Sequence, residues 1–402
     1  MELIKLIIIF LCIISFISLK KSLFFSILSG FLLGIILYQV PLIYSMKLVI
    51  KACISKETIS LILSFYTITY VQRMMEERKH LLLAEKSLSN IFNSQKINIM
   101  LAPFIIGLLP SAGAVLIAAP IVKNASENYL DIKEQAFVTS YFRHISEAFL
   151  PTYSSILLAL ELSKIDMTIF VLGMLPMVFI LFILGYIFYV KKIPKSNIIN
   201  KNLINKKEEV RNLIISLWPI ATTIIIILTL KIQPYLAVIP VIFISILINK
   251  FTLKELLPLF KSAFEIKLIL NTIMIMIFKE LLVHIGIIKK LPEYFEILPI
   301  PPIAIFSLIF FFGTLIAGSQ AIIVLGLPLA FASIPNGGLA LMILLMCITY
   351  ISMQISPTHI CLAIVTEAFN ISLIDLVKKT FPIVFIFLLI TVLYSYIIFI
   401  LQ

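Results

Sequence analysis

Charged residues are scarce in this chain of 402 residues: Asp, Glu, Lys and Arg together make up 13% of it, whereas a soluble domain has about 25%. Hydrophobic residues make up 61%, and the mean hydropathy is +1.14. So few charges cannot cover a folded surface with water-facing side chains. Repeated apolar runs of roughly 18 residues or more are typical of membrane-spanning helices. The composition therefore predicts an all-α polytopic membrane protein.

Other signals are missing as well. The sequence has no G-x-x-x-x-G-K-[ST] motif and no soluble segment long enough to hold a nucleotide site, which argues against ATP-driven chemistry. The four cysteines have no C-x-x-C spacing and lie mostly in apolar runs, so we expect small core residues and neither a disulfide nor a metal framework, and no cofactor. The apolar N-terminus lacks a small-residue cleavage site, which predicts a retained first span.

Acidic residues are fewer than basic ones, 20 against 32, and the net charge is +12. The basic residues fall mostly in the short segments between apolar runs. That distribution is typical of topology signals, not of a nucleic-acid surface. We therefore expect a lipid bilayer and a small molecule or ion as partners, and no nucleic acid.

The chain contains an internal repeat with a spacing of 206 residues. Pro151-Thr152 recurs as Pro357-Thr358. Gly107, in GLLPSAGAVLIAAP, recurs without a gap as Gly313, in GTLIAGSQAIIVLG. Chance matches are common in a chain rich in Ile and Leu, but matches of Pro-Thr and Gly in one register are not. The pattern predicts a duplication.

Each repeat is predicted to contain one hairpin and one broken helix. The segments at about 99–122 and 305–328 are interrupted midway by Pro, Gly and Ser, which favours re-entrant hairpins that do not cross the membrane. Five spans then remain per repeat, and an odd number inverts the second repeat relative to the first. We predict about ten transmembrane helices in two inverted repeats, 1–190 and 212–402, with a basic linker at 191–211 and helix breaks at 150–153 and 356–359.

The positive charges support this topology. With five spans before the linker, both chain ends lie outside and the linker is cytoplasmic. Cytoplasmic segments then hold 21 Lys and Arg residues and outer segments eight, a bias of the kind that normally sets orientation. Twelve spans with parallel halves are the alternative, which the charge pattern disfavours.

The breaks predict where a binding site lies. Proline frees backbone carbonyls, which membranes tolerate only where they face protein or a water-filled cavity. Half-helix N-termini at such a cavity present positive charge to an anion, and unwound carbonyls can bind a cation; Na⁺ is the only metal ion that the pattern suggests. The candidate substrate- or ion-binding residues are Ser111, Ala112, Gly113, Pro151, Thr152, Tyr153, Ser154, Gly318, Ser319, Gln320, Pro357, Thr358 and His359.

Charged residues also lie close to the breaks. Arg143, His144 and Glu147 precede the first break within the membrane and have no charged counterparts in the second repeat. Because Arg143 and Glu147 are four residues apart, they share a helix face. A structural ion pair and a coupling or substrate-binding role are both open. Glu161 and Glu367 each follow their proline by ten residues, or ~15 Å, so we expect them at the membrane interface.

Three stretches carry a family resemblance: YFRHISEAFLPTYSSILLALEL, LLPSAGAVLIAAPIV before it and, less closely, ISPTHICLA. They resemble the membrane family called domain of unknown function 401, within the ion transporter superfamily that includes divalent-anion symporters and citrate and gluconate permeases. The resemblance implies a ten-span elevator-type carrier, usually a homodimer. The Ser-Asn-Thr hairpin tips of better-known relatives, which help bind sodium and carboxylate, are absent here: the tips read Ser111-Ala112-Gly113 and Gly318-Ser319-Gln320.

The leading hypothesis is a secondary active transporter, and so not an enzyme, in a prokaryotic cytoplasmic membrane. It would move a small organic anion coupled to a Na⁺ or H⁺ gradient. A cation–proton antiporter, with Glu147 or His359 carrying the proton, is the alternative. A remote alternative is an intramembrane hydrolase with Ser111 as nucleophile and His144 as base. A scaffold or receptor that does not transport is a further one.

Overall fold

Helices carry the fold throughout the described part of the chain. The computed structural model describes residues 2–92, 94–108, 114–194, 205–287, 290–291, 293 and 299–401. These ranges contain 19 α-helices, so the predicted all-α class is confirmed. The first ten are α1 (Glu2–Ser18), α2 (Leu23–Leu37), α3 (Leu42–Ile54), α4 (Lys56–Glu77), α5 (His80–Phe92), α6 (Gln95–Ile106), α7 (Ala114–Ser126), α8 (Ile132–Ile145), α9 (Ser154–Ser163) and α10 (Met167–Phe188).

The remaining helices follow in the same succession. They are α11 (Lys206–Leu230), α12 (Pro234–Ile248), α13 (Leu253–Ser262), α14 (Ile266–His284), α15 (Pro302–Ala317), α16 (Ser319–Ser333), α17 (Gly338–Met353), α18 (Ile360–Phe369) and α19 (Leu373–Leu401). When 206 is added to its residue numbers, α9 has the same first and last residue as α18. With the same shift, α8 begins at the first residue of α17, and α10 begins at the first residue of α19. The spacing seen in the sequence therefore recurs in the helix bounds.

Helix lengths show which elements can cross a bilayer unaided. Among the described residues, α10, α11 and α19 are both long and apolar enough to do so. Ten other apolar helices have only 10–17 residues, or roughly 15–26 Å, which is less than the ~30 Å hydrocarbon core. Many of these short helices lie beside the two hairpins and the two breaks, where the chain is divided into half-helices.

The second hairpin reverses at a single residue. Helix α15 ends at Ala317, α16 begins at Ser319, and Gly318 between them has φ +83° and ψ 161°. Only glycine adopts this backbone conformation readily. The predicted interruption at residues 317–320 is therefore the turn itself. In the first hairpin α6 packs against α7, and its predicted tip, residues 109–113, lies outside the described residues.

The two breaks share one local backbone turn. The Tyr153 amide donates to the Leu150 carbonyl at 3.1 Å, and the His359 amide donates to the Ser356 carbonyl at 3.3 Å. Both breaks begin earlier than the predicted residues: α8 ends at Ile145 and continues as a 3₁₀ turn, Ser146–Ala148, while α17 ends at Met353. The prolines thus stand inside the breaks and not at their starts.

The core sits around α8 and α17, the helices that lead into the breaks. Every residue of α8 from Glu134 to Ile145 is buried, and so is every residue of α17 from Ala340 to Met353. Hydrophobic transfer contributes little between helices in a bilayer, so close packing and hydrogen bonds hold such a core together. The C-terminal ends of both helices, where the breaks begin, are therefore held within the buried core.

Helices α10 and α19 pack against each other in antiparallel directions. At one end, the Tyr189 hydroxyl donates to the Lys379 carbonyl at 2.8 Å. At the other end, the Tyr394 hydroxyl donates to the Gly173 carbonyl, also at 2.8 Å. The C-terminal end of α10 thus meets the N-terminal end of α19, and the reverse holds at the other end.

Candidate functional site

A cavity of about 470 Å³ lies where the second hairpin and both breaks meet. Its lining comes from the first break and α8, from the turn between α15 and α16, and from the second break. The turn between α1 and α2, with the residues beside it, and α14 also contribute to the lining. The polar and charged lining residues are Lys21, Arg143, Glu147, Tyr153, Ser154, Ser155, Asn271, Thr314, Ser319, Gln320, Ser356, Thr358 and His359.

Three helices begin at this cavity. Helix α9 begins at Ser154, α16 at Ser319 and α18 at Ile360, and all three residues are part of the lining. The first four amides of a helix have no partner within it, and the N-terminus carries about half a positive charge. The three starts therefore surround the cavity with amide donors and positive potential. This arrangement suits an anion.

Side-chain hydrogen bonds fix the broken helices to the hairpins. In the first half, the Ser146 hydroxyl donates to the Gly107 carbonyl at 2.6 Å, and the Tyr153 hydroxyl donates to the same carbonyl. In the second half, the Ser356 hydroxyl donates to the Leu315 carbonyl at 3.1 Å. Each break is thus anchored to the end of the first hairpin helix of its own half.

Arg143 and Glu147 form the ion pair that their spacing predicts. The Arg143 Nη1 and the Glu147 Oε2 are 2.7 Å apart, and the Arg143 side chain is only 2% exposed. Both residues line the cavity. A buried charge persists only when it is paired and hydrogen-bonded. The pair therefore places two compensating charges directly at the cavity wall.

Two histidines from different halves meet beside this ion pair. His144 Nε2 and His359 Nε2 are 2.9 Å apart, and His144 Nε2 lies 3.9 Å from Glu147 Oε2. His144 is completely buried. The proximity of the histidines could not be inferred from spacing, because they are separated by 215 residues.

The structure brings many of the predicted site residues to the cavity. Tyr153, Ser154, Gly318, Ser319, Gln320, Thr358 and His359 all line it. Ser111, Ala112 and Gly113 lie outside the described residues. Pro151 and Pro357 shape the breaks without lining the cavity.

Thr152 does not lie at the cavity where it was predicted. It is 7% exposed, does not line the cavity, and its hydroxyl has no hydrogen-bond partner among the described residues. Its repeat counterpart Thr358 is exposed and does line the cavity. The difference is local: Pro151 and Thr152 are buried, whereas Pro357 and Thr358 are exposed.

Sequence reasoning missed several lining residues, among them Ser155, Ser356, Cys361, Lys21 and Asn271. Ser155 and Ser356 directly adjoin predicted residues, so a window widened by a few residues around each break would have included them. Lys21 and Asn271 reach the cavity only through the packing of α1, α2 and α14 against the breaks, which no local pattern reveals.

Glu161 lies at the far end of α9, away from the cavity. It pairs with Lys164, which also contacts Glu57 at 2.8 Å. Its counterpart Glu367 is exposed near the end of α18. Neither carboxylate lines the cavity, and an interfacial position for both remains a prediction.

Apolar half-helices and full-length helices, arranged around a cavity where hairpin and breaks meet, define an all-α polytopic membrane protein. The chain belongs to the family described as "Protein of unknown function (DUF401)", which matches residues 3–400, so the predicted family is confirmed. The fold is similar to that of the YdaH transporter from Alcanivorax borkumensis, whose crystal structure is described as revealing an unusual topology. The TM-score is 0.65 at 10% sequence identity, over 89% of this chain and 88% of that chain. No curated protein matches the sequence.

Proposed function

We propose that this protein is a secondary active transporter that moves a small organic anion, driven by a Na⁺ or H⁺ gradient. The observation that carries the proposal is the convergence of three helix N-termini, those of α9, α16 and α18, on one cavity. Half-helix N-termini at the midplane are how many secondary transporters hold anionic groups. The likeness of the fold to that of a transporter supports the same conclusion.

The chemistry of the lining favours an anion over a bare cation. Glu147 is the only carboxylate among the lining residues that the structure describes, and Arg143 already neutralises it at 2.7 Å. Lys21 and the three helix starts leave the wall net positive. The serine, threonine and glutamine side chains add hydroxyl and amide donors that suit carboxylate or phosphonate oxygens.

The two halves are proposed to be inverted repeats. Helices α10 and α19 are equivalent at the 206-residue spacing, yet they pack antiparallel. Two ion pairs repeat this relation between α4 and α14: Glu57 with Lys279 at 2.8 Å and Arg73 with Glu265 at 3.5 Å. The N-terminal part of each helix therefore meets the C-terminal part of the other, as a two-fold axis in the membrane plane requires.

The proposed transport movement is of the elevator type. The second hairpin and the broken helices line the cavity together with residues of α1, α2 and α14. We assign the hairpins and broken helices to a first body and α1, α2 and α14 to a second, so the site lies between the two. Sliding of the first body against the second would expose the site alternately to each side. We propose a homodimer as the functional unit, in which the second body supplies the fixed contact.

The proposed orientation puts the linker in the cytoplasm of a prokaryotic cell and both chain ends outside. Lys133, Lys192 and Lys379 support it, because they cluster at one end of the molecule around Glu134 and neighbouring carboxylates. Lys21 follows α1, in a turn predicted to be cytoplasmic, and it lines the cavity. The described state is therefore proposed to be open to the cytoplasm.

A thermal-unfolding screen of the purified protein tests this function. Carboxylates, phosphonates, inorganic oxyanions and monovalent cations are added in turn, because a ligand that binds only the folded state raises the unfolding temperature with its concentration. We expect one class of organic anion to do so, and the same anion to be taken up by proteoliposomes under a Na⁺ or H⁺ gradient. Shifts from Na⁺, Li⁺ or pH alone would replace the anion transporter with a cation–proton antiporter.

A further inference from the structure

Three side chains capable of binding a metal meet at the edge of the cavity. His144 comes from α8, His359 from the second break and Cys361 from the first turn of α18. Their ligand atoms, two imidazole nitrogens and one sulfur, all lie within 4.8 Å of one another. His144 is completely buried and Cys361 is 5% exposed. His359 and Cys361 also line the cavity, so the cluster is accessible from it.

The hydrogen bonds of His144 determine which of its nitrogens is available. Its Nδ1 lies 2.6 Å from the Ser140 carbonyl oxygen, and a carbonyl can only accept. The proton of a neutral imidazole therefore sits on Nδ1, which leaves the lone pair on Nε2. Histidines that bind metals in proteins are usually held in this way, with the second nitrogen donating to a carbonyl or carboxylate.

That lone pair points at the other histidine. His144 Nε2 and His359 Nε2 are 2.9 Å apart, and two lone pairs at this distance repel unless a proton or a cation lies between them. Cys361 places a thiol beside the same two atoms. Two imidazoles and one thiolate form the ligand set that selects Zn²⁺ and other borderline or soft transition-metal ions.

We propose that His144, His359 and Cys361 form a binding site for a transition-metal ion, and that Zn²⁺ is the ion it fits best. Tetrahedral Zn²⁺ with Zn–N distances of about 2.0–2.1 Å separates two imidazole nitrogens by roughly 3.3 Å. The observed pair needs to open by only about 0.4 Å to reach that separation. Three protein ligands leave a fourth coordination position, which water or an anionic group from the cavity can occupy.

The site joins the two halves of the chain, because His144 precedes the first break, His359 lies in the second break and Cys361 follows it. A bound ion would therefore hold α8 and α18 together at the cavity wall. This proposal does not depend on the transported anion. Metal binding by the resting protein and anion uptake are separate measurements, so either proposal can fail while the other stands.

Titration of the purified full-length protein with Co²⁺ tests the site. Co²⁺ takes the place of Zn²⁺ and gives a thiolate-to-cobalt charge-transfer absorption when cysteine is a ligand. We expect one Co²⁺ per chain with this absorption, and its loss when Zn²⁺ displaces the cobalt. His359→Gln and Cys361→Ala should each weaken binding by at least about tenfold, the smallest loss that follows removal of an outer partner in known metal sites.

Matched variants control for other thiols and imidazoles. Cys347 is also buried but packs on Met174, and His284 is exposed and stacks on Tyr44. Cys347→Ala and His284→Gln should leave the Co²⁺ titration and its absorption unchanged. Size-exclusion elution and the unfolding temperature without metal show which variants fold. If only one of His359→Gln and Cys361→Ala folds, that variant alone is enough for the test. Co²⁺ binding that keeps its absorption in Cys361→Ala, or its affinity in His359→Gln, overturns the proposal, as does an absence of binding by the wild-type protein.

Discussion

Gln320 Nε2 donates a hydrogen bond of 2.6 Å to Ser154 Oγ. Gln320 lies in the first turn of α16, at the second hairpin, and Ser154 begins α9, after the first break. The contact therefore connects two of the three helix starts that surround the cavity, and it does so across the two halves. Because both amide-rich helix starts face the proposed anion, this hydrogen bond sets how closely they converge on it.

Gln320→Ala should weaken anion affinity by about fivefold, corresponding to the roughly 1 kcal/mol of one neutral hydrogen bond. Ser154→Ala should have a similar effect, because it removes the other partner of the same contact. The double variant should lose no more than the larger single loss. Anion affinity from concentration-dependent thermal shifts measures all three. Fully additive losses would show that the two side chains act independently and do not jointly position the helices.

Thr152→Val and Thr358→Val should have opposite consequences, although the two threonines are equivalent in the repeat. The Thr152 hydroxyl is buried without a partner in the described part of the chain. Replacing it with a methyl group should raise the free energy of unfolding by about 1 kcal/mol and leave uptake unchanged. Thr358 lines the cavity and its hydroxyl lies 2.8 Å from Ser356 Oγ. Its replacement should reduce uptake with little change in stability.

Uptake into proteoliposomes and unfolding in detergent separate the two threonine effects. Reduced uptake in Thr152→Val at unchanged stability would place the Thr152 hydroxyl at the substrate. Equal behaviour of both variants would contradict the difference between a buried Thr152 and an exposed Thr358.

Local chemistry made much of this architecture predictable. Proline next to threonine, repeated at a fixed spacing, predicted both breaks, and Gly318 with its small neighbours predicted the hairpin turn. The environment of each residue was not predictable in the same way. Thr152 and Thr358 both follow a proline and are equivalent in the repeat, but one is buried and the other is exposed. The approach of His144 to His359 likewise depends on tertiary packing across 215 residues, which no periodicity records.

The repeated glycines Gly107 and Gly313 should differ in their tolerance of alanine. A Cβ at Gly107 would lie 2.2 Å from the Arg143 carbonyl oxygen, a backbone atom of the buried helix α8. A Cβ at Gly313 would instead meet the end of the Ile322 side chain at 2.3 Å, which can turn aside. Gly107→Ala should therefore destabilise by about 3 kcal/mol and Gly313→Ala by about 1 kcal/mol. Equilibrium unfolding in detergent gives both values, and an equal cost would contradict the tighter approach at Gly107.

Single cysteines introduced into a cysteine-free variant should report the orientation. We expect Lys192→Cys and Lys378→Cys to react with a membrane-impermeant maleimide only when the cytoplasmic side is exposed, because loop charge sets orientation. Lys51→Cys should react from the outside. Intact cells and inverted membrane vesicles supply the two sides. Labelling of Lys192 and Lys51 from the same side would contradict five spans per half.

Variants of Arg143 and Glu147 can show whether their ion pair stabilises the fold or takes part in transport. Removal of one partner of a buried pair leaves an uncompensated charge and typically costs about 3–5 kcal/mol. Arg143→Gln and Glu147→Gln should each destabilise by that order, while the double variant should recover most of the loss because no unpaired charge remains. Unfolding of the four proteins in detergent measures the coupling between the two residues.

Uptake by the double variant then decides what the pair does. If the pair only stabilises α8 against the first break, the recovered protein should transport at nearly the wild-type rate. We expect instead that it folds but does not transport, because both side chains line the cavity and the Arg143 guanidinium supplies a positive charge there. Loss of anion affinity in Arg143→Gln, with affinity retained in Glu147→Gln, would assign the anion contact to Arg143. The reverse result would assign the coupling of the ion gradient to Glu147 and favour proton exchange at the same wall.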